Sequence, residues 1–373
     1  MLIEQPLDKS AYNSLYGVLP FLPFWIALLI AGLAAYPTYR MLLAMKSRQT
    51  VSQYAPEGHQ KKQGTPTMGG LIIVLGTLVS LVAFLVVSRI AKPEEPGLNA
   101  WFSAVLILLC GFAFIGFVDD FLIPRLVAGK RGLGWKQKIL MQIVAAVVAA
   151  GLILDWHFEV QFFVYVFLIL FCSNAFNFLD GLDALAGSVL LALAAGLSAL
   201  STQVGTSGTN QVILCALAGA AIPFLILNAP PAKVFMGDVG SLPVGALLGL
   251  VFSALVWPTW GPYTMVAGWV DAGFRPAMVI PAVLVGLVLI AELVPVPLQI
   301  LWVKVFKRRL FSFTPIHHAF EKAGWPESRV VWFFLITQIV LGAAAYTWAT
   351  GARGHFIGAW RSVYDYGWRS YGP

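Results

Sequence analysis

The stretch FAFIGFVDDFLIPR, residues 112–125, ends an apolar run on two adjacent carboxylates, Asp119 and Asp120. Neighbouring carboxylates repel each other unless a cation or a basic group lies between them, so this pair calls for a partner. Polar residues gather at comparable places elsewhere. KKQGTPTMGG sets Lys61, Lys62, Thr65 and Thr67 before a glycine pair at the head of an apolar run, and such a turn feeding a helix can present backbone N–H groups to an anion. NAFNFLDGLDALAG spaces Asn177, Asp180 and Asp183 three residues apart, along one face of a helix or helix start. Capping of the next helix would account for one of these two carboxylates, not both. NAPPAKVFMGDVGSL carries Asn228, Lys233 and Asp238, the last flanked by glycines that permit close approach of a ligand. TPIHHAFEKAGWPESR carries His317 and His318, a pair that acquires meaning only if other groups converge on it.

Oxygen donors with no thiolate among them suit a hard cation such as Mg²⁺, held by a few carboxylates together with substrate phosphates. Zinc fits poorly, because there is no H-E-x-x-H and Cys110, Cys172 and Cys215 all lie inside apolar runs. Carboxylates, a hard cation, a basic rim and an apolar setting point to phosphoryl transfer to or from a membrane-anchored phosphate. For that, the five segments must meet at one membrane face.

The elements that would bring them there are legible from composition. Of 373 residues, 59% are hydrophobic and 11% charged, which places the chain in the multi-span membrane class. Charge-poor apolar runs fall near 18–39, 69–88, 100–118, 139–154, 160–179, 184–203, 211–229, 239–257, 276–291 and 330–349, against the roughly 20 residues a helix needs to cross the hydrocarbon core. The expectation is an all-α polytopic protein of about ten transmembrane helices, forming a single integral membrane domain over 1–373. The first run is too long for a signal-peptide core and is read as a retained span.

Seventeen of the 24 Lys and Arg fall on the loops after the odd-numbered spans, which assigns those loops to the cytoplasm and both termini to the outside. The net charge of +7 is thus largely topological and implies no nucleic acid. On this layout the cytoplasmic segments near 40–68, 119–138, 177–183, 230–238 and 304–329 form the active site. The ninth span is unusual: Glu292 lies within it, and Pro295 and Pro297 should break or bend the helix. A carboxylate at that depth either serves function or satisfies groups freed by the break. A transporter would put its polar groups near mid-membrane at a repeat interface; here they lie at span ends, and no internal repeat is visible.

With these motifs in hand, the chain resembles the phospho-N-acetylmuramoyl-pentapeptide transferases (the MraY translocases), within the wider polyprenyl-phosphate N-acetylhexosamine-1-phosphate transferases. GTPTMGG, NFLDGLDALAG, FMGDVGSL and PIHHAFEKAGWPESRV carry the resemblance, which runs from about Lys61 to Arg329. It implies transfer of phospho-MurNAc-pentapeptide from UDP-MurNAc-pentapeptide to undecaprenyl phosphate, giving lipid I and UMP, with Mg²⁺, at the cytoplasmic face of the bacterial inner membrane. The resemblance assigns Asp119 and Asp120 to the family's DDxxK pair, with Asp119 deprotonating or positioning the lipid phosphate. It makes Asp238 a metal ligand, with Asp119 beside it. Asn177, Asp180 and Asp183 would line the nucleotide site, Asn228 would contact substrate, Lys62 and Thr67 would lie near the diphosphate, and Phe235 would stack on uracil. His317, as a catalytic residue, and His318 match the first two positions of a three-histidine motif.

Two positions depart from the family pattern: the lysine of DDxxK is Ile123, and the third histidine is Ala319. Arg125, Lys130 or Lys136 are the basic residues expected to replace the missing lysine. The same carboxylates would serve a sister enzyme transferring GlcNAc-1-phosphate or a two-step route through an aspartyl phosphate, and the departures at Ile123 and Ala319 also fit a catalytically silent relative. Lipid-facing helices leave room for a homodimer.

Overall fold

The computed structural model describes residues 19–45, 64–91, 97–127, 129–130, 132–203, 207–257 and 278–371. Helices account for nearly all of them, as the bilayer requires: without water, backbone N–H and C=O groups must be paired within each segment. In chain order these are α1 (Leu22–Ala44), α2 (Leu71–Ala91), α3 (Asn99–Leu126), α4 (Trp135–Ile153), α5 (Val160–Leu179), α6 (Leu185–Ser201), α7 (Ser207–Asn228) and α8 (Asp238–Val256). The ninth span is segmented into α9 (Val279–Val285), α10 (Leu287–Leu293) and α11 (Pro295–Phe306), and is followed by the short α12 (Ile316–Lys322) and the long α13 (Glu327–Tyr371).

Among the described residues, nine helices are long and apolar enough to cross a membrane. The tenth run expected from sequence is α6, shorter at 17 residues. The ninth span also differs from the run read at 276–291. Its long segment is Leu287–Phe306, and it is interrupted at Gly286 as well as before Pro295. Val294 keeps helical dihedrals (φ −62°, ψ −39°) and Pro295 opens α11, where its missing N–H costs little. The prolines therefore divide the helix without unwinding it. At the other interruption, Gln338 of α13 donates to the Val285 carbonyl (3.0 Å), a group the break sets free.

α8 lies at the centre of the bundle, with nearly every residue buried, and it packs against α5 and α3. In lipid, helices associate largely through close backbone approach at small residues. A Cβ at Gly245 or Gly249 of α8 would strike the α5 backbone at Cys172–Ser173 and Leu168–Ile169. Gly116 of α3 does the same against Asp238 and Val239 at the head of α8. That last contact matters for chemistry, because Asp119 and Asp120 follow Gly116 within about one turn. α1, α2 and α7 pack together on one side, and α6 packs against α7 and α13.

Candidate active site

Near its end, α3 widens into a π turn, Val118–Leu122, which carries both aspartates; such turns recur at functional sites. Successive side chains on a helix diverge by about 100°, so Asp119 and Asp120 reach different partners. Asp119 turns toward α4: its Oδ1 accepts the Leu133 N–H (2.5 Å) and its Oδ2 lies 3.3 Å from Lys138 Nζ. Asp120 turns toward α8, where its Oδ2 accepts the Val239 N–H (3.2 Å). Asp238, the first residue of α8, completes the group. Its Oδ2 pairs with Lys138 and its Oδ1 accepts from Asn177 Nδ2 (2.6 Å), which also reaches Ser241 Oγ (2.8 Å).

The three carboxylates each offer an oxygen within 4.8 Å of the others. At that separation each pair of charges repels by about 3–4 kcal/mol in an effective dielectric of about 20. With all three ionised, Lys138 would neutralise one charge and leave two, on an all-oxygen donor set. That charge and chemistry fit a divalent hard cation, and these residues could hold a metal ion.

Lys138 is the residue the sequence reading missed. Arg125, expected as a substitute for the absent lysine at Ile123, instead stacks on Phe121 (4.0 Å to the ring centroid) and donates to the Met45 carbonyl. Lys136 is exposed and lies beside Trp135. The first turns of α4, spelled WKQK, read simply as basic cytoplasmic sequence; the only signal was a lysine near a helix start, where the dipole disfavours it. The packing of α4 against α3 and α5 turns Lys138 inward.

The head of α8 joins the acidic cluster to the neighbouring loops. Asp180 Oδ2 accepts the Gly237 N–H (3.0 Å) while Asp120 takes that of Val239, so two donors of this helix start are satisfied by carboxylates. Burial pushes the Asp180 carboxyl well above its ordinary value, with the Gly237 bond opposing and Asp238 adding to the rise. Gly237 has φ +70°, and a Cβ there would press on Asp120 Oδ2 and Thr67 Oγ1. This close approach brings Thr67 to the cluster. The turn that carries Thr67 is tied to the 230s segment by Phe235 N–H to Pro66 O, Gly69 N–H to Phe235 O and Gly70 N–H to Met236 O. Phe235 is half-buried beside it. Lys62 lies outside the described residues.

Asp183 and Asn228 have different surroundings. Asp183 Oδ2 accepts the Ala232 N–H (2.9 Å), and its own N–H goes to Glu327 Oε1 (2.7 Å). Asn228 accepts from Ala184 N–H and donates to Val234 O, both at 2.9 Å. Neither Asp180 nor Asp183 caps α6, whose N-cap is Ala184 in the left-handed region (φ 65°) with no side-chain cap bond. His317 is buried against Glu292, while His318 Nδ1 pairs with Glu321 Oε2 (2.6 Å).

Comparison with known proteins finds relatives over most of the chain. Residues 102–256 match the model of Glycosyl transferase family 4, and residues 62–74 match phospho-N-acetylmuramoyl-pentapeptide-transferase signature 1. The chain is 35% identical to a phospho-N-acetylmuramoyl-pentapeptide-transferase of Moorella thermoacetica, over 86% of this chain and 96% of that one. It is 34% identical to the protein of that name from Desulforamulus reducens, over 82% and 88%, and 32% identical to that of Staphylococcus carnosus, over 87% and 96%. The carboxylate cluster thus sits in a multi-pass membrane chain that belongs to the phospho-N-acetylmuramoyl-pentapeptide-transferase family.

Proposed function

We propose that this chain transfers phospho-MurNAc-pentapeptide from UDP-MurNAc-pentapeptide to undecaprenyl phosphate, forming lipid I and releasing UMP in peptidoglycan synthesis. The observation that carries this reading is the meeting of Asp119, Asp120 and Asp238 around Lys138 in a chain of this family. The cation it calls for is Mg²⁺, held by Asp238 and Asp119 with Asp120 adjoining, which would supply charge neutralisation for the diphosphate and the departing UMP.

The protein side of the reaction follows from charge. A phosphate monoester has a second pKa near 6, so the lipid phosphate is mostly dianionic at neutral pH and Asp119 has only a residual proton to take. Lys138 provides the positive charge that lets this phosphate approach the carboxylates. A phosphate oxygen of the lipid attacks the sugar-linked phosphorus, the bond from that phosphorus to the UMP oxygen breaks, and UMP leaves. Lys62 and Thr67 bind the diphosphate, and Phe235 stacks on uracil. Asn177 and Asp180 shape the nucleotide side, with Asp183 and Asn228 holding the backbone behind it, while His317 and His318 close the site from the α12 side.

The site faces the cytoplasm from the bacterial inner membrane in a single integral domain, with both termini outside; the bias of 17 among 24 basic residues supports that orientation. Pairing of two copies through lipid-facing helices is compatible with this arrangement. The test is UMP release by purified, detergent-solubilised protein given undecaprenyl phosphate and Mg²⁺, with UDP-MurNAc-pentapeptide and UDP-GlcNAc offered separately. Release with the muramoyl donor alone, abolished by EDTA, is expected. Release only with UDP-GlcNAc would move the chain to the sister reaction, and release with neither would overturn the reading.

A further inference from the structure

Glu292 lies on α10, fully buried in the interrupted ninth span. Both of its carboxylate oxygens are spent on one residue: Oε1 accepts the His317 backbone N–H (3.1 Å), and Oε2 lies 2.7 Å from His317 Nδ1. The backbone contact takes up an N–H at the start of α12 that has no partner within the helix. The side-chain contact fixes the plane of the imidazole. With both oxygens accepting, the Nδ1 position carries the proton.

The opposite edge of the ring is not treated this way. Nε2 of His317 is buried and has no hydrogen-bond partner among the described residues. It faces Gly181, where a Cβ would overlap it. Only a glycine in that turn lets the ring approach the segment between Asp180 and Asp183. A histidine kept solely to hold α12 against α10 would have both nitrogens satisfied, since an unpaired buried polar group is costly. Here the carboxylate orders one nitrogen, and the other, without a partner among the described residues, points at the turn that joins Asp180, which is hydrogen-bonded to the head of α8, to Asp183. Carboxylate, imidazole and reacting group stand in this order in acid–base catalytic sites, where the carboxylate sets the tautomer and the orientation of the ring.

We propose that Glu292 is a positioning residue for the transfer reaction: it sets the tautomer and orientation of His317, leaving Nε2 for substrate bound against the Gly181 turn. The inference rests on the transferase reading above. Glu292→Gln separates a positioning role from a structural one. Its amide oxygen can still accept the His317 backbone N–H, but its NH₂ then faces Nδ1 and moves the ring proton to Nε2. The fold keeps its contact while the tautomer inverts.

The experiment measures kcat and KM for both substrates, together with the melting temperature in detergent, for wild type, Glu292→Gln, Glu292→Asp, His317→Ala and the Glu292→Gln/His317→Ala double variant. Glu292→Gln is expected to lose at least about 10-fold in kcat, with KM within about twofold and an unchanged melting temperature, as inverted tautomers elsewhere cost up to about 10⁴-fold. Glu292→Asp, which keeps the charge, should recover part of the rate. The double variant should be no slower than His317→Ala alone, because residues acting as one unit are not additive.

Wild-type kcat in Glu292→Gln, or a double variant as slow as the product of the two single losses, would overturn the inference while leaving the transferase reading intact. A Glu292→Gln that loses rate only as it loses melting temperature, with Glu292→Asp no better, would also overturn it in favour of a structural pair. No turnover in wild type would overturn the reading and the inference together.

Discussion

Two sets of polar side chains lie within a few residues of each other in this molecule and are used in opposite ways. Around Lys138, three carboxylates crowd together on a shared site. In the neighbouring 180s and 228–234 segments, Asp183 and Asn228 give their polar atoms to backbone groups of Ala232, Ala184 and Val234. A side chain whose hydrogen bonds go to the backbone holds a loop, whereas a crowd of carboxylates marks a place where a ligand completes the structure. The two sets meet at the head of α8, where Asp180 accepts the Gly237 N–H and Asp120 that of Val239.

The sharpest way to break this comparison is to remove charge from the crowded set. Asp238→Asn preserves shape, and its amide oxygen can still accept from Asn177. It should cost about 10²–10³-fold in kcat, the scale of losing one preorganised electrostatic contact; on stability, the relief of carboxylate repulsion is offset by the lost pairing with Lys138, so the rate is the readout. An active variant would show that the cluster is not the reacting centre. Lys138→Met should also lower stability. Three carboxylates are then left without a cation, so activity falls and the melting temperature drops in EDTA, with Mg²⁺ restoring more of it than it adds to wild type. An equal response to Mg²⁺ in the two proteins would contradict the charge balance described here.

On the other side of the comparison, Asn228→Ala strands a buried N–H and a buried C=O. It should destabilise by about 2–6 kcal/mol, at about 1–3 kcal/mol per stranded group, while the folded protein keeps its KM. An unchanged melting temperature with a raised KM would move Asn228 to the substrate side. Asp180→Asn gives the smallest and most conditional effect. Burial holds the Asp180 carboxyl well above its ordinary value, so the folded state binds its proton more readily than the unfolded state. Stability is then full below the ordinary carboxylate pKa of about 3.9 and falls as pH rises through the folded value. Asparagine is free of that loss, so its gain in melting temperature should be absent near pH 4 and grow toward pH 8. A gain independent of pH would contradict the assignment.

How much of this was legible in the chain follows from what each feature depends on. The spans were, because a bilayer demands long apolar runs and continuous helices. The break before Pro295 was as well, since proline announces itself, whereas the one at Gly286 was not, because a glycine within an apolar run is unremarkable. The acidic positions stood out as charges at span ends. Their cation did not: whether Lys136 or Lys138 faces the cluster is decided by the rotation of α4 against its neighbours, which a basic cytoplasmic segment does not encode on its face. For the same reason Glu292 was visible as a buried charge needing a partner, while its pairing with His317, 25 residues away, required the fold. Asn228 and Asp183 looked alike in sequence to Asp238, and only the fold separates them, giving the first two to backbone groups and Asp238 to Lys138 and Asn177.

The central claim is that Asp119, Asp120 and Asp238 form a cation-dependent reacting centre. Titration of Mn²⁺ into the purified protein with UDP-MurNAc-pentapeptide present, followed by electron paramagnetic resonance, tests it most directly. One bound Mn²⁺ per chain in wild type, lost or strongly weakened in Asp238→Asn, is the predicted result. Binding of equal stoichiometry and affinity in both proteins would contradict it.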